Sequence, residues 1–204
     1  MRARSRLLLA LGPAALAVAA GTASPAQAAP SSGPVGYVVG HHAEAQVLLA
    51  DGRQASVVVD EYASGGPSGG RWSEVAVVVA CESSRDCATG GEAYLDLDGD
   101  VLTVTPGLGR TTLPPVQMTL SGWTDRGATQ VQTTVTVSAV LTATGPLAAT
   151  TTRGSDCASP SSTPCRSLTV VTSRPVSAAV TLGGATSNGT GTVSSTRTVS
   201  VAAR

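Results

Sequence analysis

Lysine, isoleucine and phenylalanine are missing from this chain, and two tryptophans with three tyrosines are its only aromatic side chains of that class. A core must therefore be assembled from valine, leucine and alanine, which suits two closely packed sheets and leaves little for a deep aromatic-lined pocket. All 13 positive charges are arginine, with no basic block and no interleaving of arginine with aromatics, so a nucleic-acid partner has no electrostatic basis. Histidine occurs only as the adjacent pair His41 and His42, and any imidazole chemistry rests on those two. Helix periodicity is nearly absent, and beyond the N-terminus no run approaches the roughly 20 apolar residues that a helical membrane span requires.

The N-terminus has a three-part plan. "MRARSR" supplies Arg2, Arg4 and Arg6, "LLLALGPAALAVAAG" is apolar, and "ASPAQAAP" ends in small residues. This is the pattern of a secretory signal, with cleavage expected after Ala28. The expected organisation is a signal peptide over 1–28, a short Pro/Ser leader over 29–34 and a single β-domain over 35–204. Removing three of the 13 arginines leaves 10 against 13 acidic residues, a net charge of about −3 with neutral histidines. That mild acidity gives no attraction to a membrane surface, and the mature chain is expected to be secreted and extracellular.

Four cysteines in an oxidising compartment predict disulfides. Local pairing, Cys81–Cys87 in "CESSRDC" and Cys157–Cys165 in "CASPSSTPC", would staple two polar loops. Neither couple has C-x-x-C spacing and the histidines lie far from both, which argues against a metal site there.

Period-two runs recur along the remainder, separated by Gly, Pro, Ser and Asp clusters. "ASVVVDEY" sets Val57 and Val59 on one face and Val58, Asp60 and Tyr62 on the other. "WSEVAVVVACE" puts Val75, Val77, Val79 and Cys81 together, and Asp51–Gly52 marks a tight turn. "EAYLDLDGDVLTVTP" reads as a hairpin with Leu97 opposite Val101, and Pro114 and Pro115 mark the start of a strand near Val116. In "VQTTVTVSAVLTAT" the face from Val131 through Val137 to Ala143 is apolar, and its length predicts a bend or bulge. The fold class expected is all-β: a two-sheet antiparallel β-sandwich of about nine or ten strands, or alternatively a partly closed β-barrel.

Candidate chemistry is sparse. "GPSGG" around Ser68 matches G-x-S-x-G, but a nucleophile elbow needs a helix directly after it, and here "RWSEVAVVVAC" reads as strand. Ser68 is therefore read as part of a tether, and no catalytic residue and no cofactor is assigned. In "HHAE" His42 and Glu44 share one strand face and His41 the other; a divalent ion would need Asp60 or Glu61 to come across from a neighbouring strand. "DLDGD" aligns Asp96, Asp98 and Asp100 on alternate positions, the candidates for a weak calcium site or simply a hydrophilic hairpin tip. Trp72 and Trp123, each at the end of a strand run, are candidates for ligand contact as a carbohydrate platform, or else caps on the core. "NGT" at Asn188 is a formal glycosylation acceptor whose Asn-Gly pair is also a turn signal.

Taken together, the signal, the "VVVACESSRDC" strand and loop, "LPPVQMTLSGW" to "TVTVSAVLTATGPL", and the closing "SAAVTLGGATSNGTGTVSSTRTVSV" resemble a group of uncharacterised secreted β-rich proteins of actinobacteria. The resemblance implies an exported β-fold and carries no activity to any residue. The function expected is that of a non-catalytic extracellular or cell-envelope-associated β-domain. A carbohydrate-binding module using Trp72 or Trp123 is its sharper form, and a secreted hydrolase or a weak calcium-binding module are the alternatives. The partners that fit are a cell-envelope component or a glycan.

Overall fold

The computed structural model describes residues 34–65, 69–81, 89–124, 129–155 and 165–202. Alternating valine with polar residues produces strands almost throughout: β1 Pro34–Leu48, β2 Arg53–Gly65, β3 Arg71–Cys81, β4 Thr89–Asp98, β5 Thr103–Val104, β6 Arg110–Thr124, β7 Thr129–Ala143, β8 Ala148–Gly154, β9 Cys165–Leu182 and β10 Ala185–Ala202. Among the described residues the single helical element is a 3₁₀ turn, Pro106–Leu108, and no helix is long and apolar enough to cross a membrane.

All ladders are antiparallel, in the order β10-β1-β2-β3-β4-β6-β7-β9-β8, with β9 also pairing β10. The seam between β4 and β6 has register pairs only from Thr89–Thr124 to Glu92–Ser121. The sheet thus folds over on itself as a sandwich, with this short seam and the β9–β10 ladder joining its layers. Inward positions follow the two-residue period: Ala43, Ala45 and Val47 on β1, Val57 and Val59 on β2, Val75 and Val77 on β3, Val137 and Leu141 on β7, and Val176 and Val180 on β9 are all buried. Each fully buried valine contributes about 1.5–3 kcal/mol, and the small side chains let the two layers interdigitate.

Several expectations are corrected. The chain from Val101 to Val104 does not return along β4; β5 pairs β6, through Thr103–Thr112 and Val104–Thr111. The reason lies in Glu61, whose Oε1 accepts the backbone N–H of Val101 at 2.5 Å and that of Leu102, taking the donors a hairpin would have used. Pro114 and Pro115 do not begin a strand. They occupy a β-bulge inside β6, between Leu113 and Val116, where the missing N–H groups break no ladder bond. The bulge expected in the long β7 run therefore falls on its partner strand.

Asn188–Gly189 is not a turn either. The chain reverses at Gly183 and Gly184, with φ of +59° and +90°. Gly189 lies within β10, paired to Val47 and Ala178, at a position that requires glycine because a Cβ there would stand 1.9 Å from the carbonyl oxygen of Gln46. Neither cystine staple is seen as a pair: among the described residues no two cysteine sulfurs lie within bonding distance. Cys87 and Cys157 lie outside the described residues, and Cys165 is not a free thiol. The strand ends in question are held by their ladders, Cys81 opposite Arg53 and Cys165 opposite Ala202.

Candidate functional site

The two adjacent histidines land on opposite faces of β1, and each belongs to a polar row running across the sheet. The inner row sets His41 opposite Glu61 on β2 and Glu61 opposite Ser73 on β3. Glu61 is only 3% exposed. Ser73 donates from Oγ to the carbonyl of Gly99 at 2.5 Å, and Arg71 pairs with Asp100. Together these side chains pin residues 99–102 across one end of the sandwich. The cavity beneath, of about 340 Å³, is lined by Tyr37, His41, Glu61, Arg71 and Leu102. Its charged groups are committed to the loop, while Nδ1 of His41 is buried without a hydrogen-bond partner. At the opposite end an apolar cleft of about 400 Å³ is walled by Leu49, Val79, Leu120, Val131 and Leu182. The rim residues of that cleft, Asp51 and Arg53, are ion-paired with each other at 2.6 Å, and the Arg53 hydrogen bond holds the Asp51 carboxyl below its ordinary value.

The outer row is different in character. His42 Nδ1 lies 2.8 Å from Asp60 Oδ1, Asp60 stands opposite Glu74, and Glu74 opposite Asp96. One step along the strands, Tyr62 stands opposite Trp72 and Trp72 opposite Asp98. The rings of Tyr62 and Trp72 are stacked with centroids 4.7 Å apart and planes inclined by 32°. They remain 37% and 47% exposed, an open aromatic pair where a core cap would be covered. Burial against the sheet, then the Asp60 charge and hydrogen bond and the Glu74 charge, raise the Tyr62 phenol above its ordinary value.

Trp72 is on this outer face, whereas the Trp123 side chain lies outside the described residues. Asp96 and Asp98 are exposed on β4, but Asp100 has left the strand for Arg71, and among the described residues no group of three His, Cys, Asp or Glu side chains could hold a metal ion. Ser68 lies outside the described residues. Around it β2 and β3 pair directly, Ala63 opposite Arg71, and the chain continues as strand where an elbow demands a helix. The His42–Asp60 contact has the spacing that a base and its orienting acid would need, and Ser194 on β10 stands opposite His42, yet among the described residues no hydrogen bond joins the serine to the imidazole. Among the described residues, the backbone beside His42 lies within the β1–β2 and β1–β10 ladders.

Sequence reasoning missed Tyr62 as the partner of Trp72. The signal was present: the two lie five residues on either side of Pro67, so closing the Gly-rich connection as a hairpin sets them face to face. No family model, no curated protein and no solved structure matches the chain.

Proposed function

We propose that this protein is a non-catalytic, exported β-domain that binds a carbohydrate on the outer face of β1 to β4. The observation that carries the reading is the half-exposed Trp72 stacked on Tyr62. Aromatic faces accept the apolar C–H face of a pyranose ring, and a ring already held by a neighbour loses little freedom on binding. Asp98, opposite Trp72, and Asp60, in the next row, supply acceptors for sugar hydroxyls. Export rests on the N-terminal signal pattern, and the cell envelope or its surroundings is where such a glycan would be met.

Affinity electrophoresis through gels containing soluble polysaccharides tests the binding. Retardation of the wild type by at least one polysaccharide, lost in Trp72→Ala at unchanged melting temperature, is the expected result. Equal mobility of the wild type and Trp72→Ala in every gel would remove the reading.

A further inference from the structure

We infer that the glycan taken by this face is an amino-sugar polymer carrying protonated amines, an inference that rests on the carbohydrate reading above and adds its charge class. Glu44, Asp60, Glu74, Glu92, Asp96 and Asp98 all occupy outward positions on β1 to β4, six of the chain's 13 acidic residues. Among the described residues no arginine shares those outward positions, and His42 is bound to Asp60. The face is therefore anionic on a domain whose full sequence is balanced at 13 against 13.

The arrangement also opposes stability. Asp60, Glu74 and Asp96 stand directly opposite one another on three adjacent strands, about 4.8 Å apart across the sheet, and like charges placed so repel. His42 answers Asp60 at one end of the row, and the like-charged pair of Glu74 and Asp96 beyond it breaks a local rule, as surfaces kept for a ligand do. A polymer with a cationic amine on each ring relieves the repulsion, while its sugar faces lie on Trp72 and Tyr62 and, farther along β4, on the exposed Tyr94. The electron-rich ring faces favour a cation as well.

An extended basic peptide suits the face less. Strands β1, β2 and β3 are each paired on both sides, so across most of the face no main-chain donors or acceptors are open for strand addition, which is confined to the β4 edge beyond Glu92. Recognition has to come from side chains on a flat surface, which stacked rings provide for a pyranose.

Calorimetric titration of the purified protein with a β-1,4-linked glucosamine hexamer and with its fully N-acetylated counterpart tests the inference. The glucosamine hexamer should bind about tenfold more tightly. Glu74→Gln and Asp96→Asn should each erode that advantage without changing affinity for the acetylated hexamer, and both should keep or raise the melting temperature because they relieve repulsion. Trp72→Ala should weaken both ligands. Equal or tighter binding of the acetylated hexamer overturns the charge class and leaves the aromatic platform standing. Failure to bind either hexamer while a neutral glucan still retards the protein does the same. Binding of none of these, or preference for an oligolysine peptide that Trp72→Ala leaves intact, overturns both readings.

Discussion

Oε1 of Glu61 accepts the backbone N–H of Val101 at 2.5 Å from 40 residues earlier in the chain, and the N–H of Leu102 as well. A buried carboxylate is thereby turned from a liability into the clamp that closes one end of the sandwich. Glu61→Ala leaves two donors without a partner, at about 1–3 kcal/mol each. Glu61→Gln retains an acceptor oxygen and should cost only about 1 kcal/mol, the loss of charge assistance. Urea unfolding of the two variants beside the wild type measures the difference, and equal destabilisation by Ala and Gln would show that the acceptor oxygen is not what matters.

Gly191 is required by close approach. A Cβ at this position on β10 would stand 1.9 Å from the carbonyl oxygen of Glu44 on β1, and a backbone atom has no side-chain rotation by which to yield. Gly191→Ala should therefore cost about 1–3 kcal/mol or more and part the β1–β10 ladder locally. Amide hydrogen exchange around Glu44 and Thr192 should speed up in the variant; unchanged protection there would contradict the packing.

In the core, Leu113→Ala should destabilise by about 2–5 kcal/mol through lost burial and the cavity left behind. Leu113 is almost wholly buried beside the β6 bulge, where the irregular backbone limits collapse into the space. Tyr94→Ala, on the exposed outer face, should stay within about 0.5 kcal/mol. Denaturant midpoints at unchanged slope report both.

The Tyr62 phenol should ionise above its ordinary value of 10.0, chiefly because burial disfavours the phenolate and further because Asp60 and Glu74 are close by. Since the folded value is the higher one, the contribution of the neutral phenol to stability is complete below the unfolded value and is lost as pH rises through the folded value. The difference in tyrosinate absorbance between the wild type and Tyr62→Phe, followed with pH, isolates this group. Asp60→Asn should lower its midpoint without abolishing the shift, since burial persists. A midpoint at or below that of a free tyrosine would refute the proposed environment.

Alternation along single strands was enough to place the faces correctly: Val57 and Val59 inward with Asp60 and Tyr62 on their proper sides, His42 with Glu44 away from His41, and Val75, Val77 and Val79 in the core. Gly52 at φ +83° occupies the turn that Asp51–Gly52 announced. These are local matters, decided by the two-residue period of a strand and by the steric freedom of glycine. Where a local signal met a distant competitor, it lost. The Asp98–Asp100 turn yielded to Glu61, the two prolines were absorbed by a bulge, and Asn188–Gly189 was drawn into a ladder against β1.

By itself, then, the sequence determined an all-β antiparallel chain, a core of small aliphatic side chains and the side of each strand that meets water. Tertiary structure alone decided that Trp72 lies on Tyr62, that His42 meets Asp60, that three carboxylates line up across β2, β3 and β4, and that Glu61 holds a loop 40 residues away. The division has one cause: side-chain direction follows from neighbouring residues, whereas cross-strand contact follows from register, which the packing of the whole sheet selects.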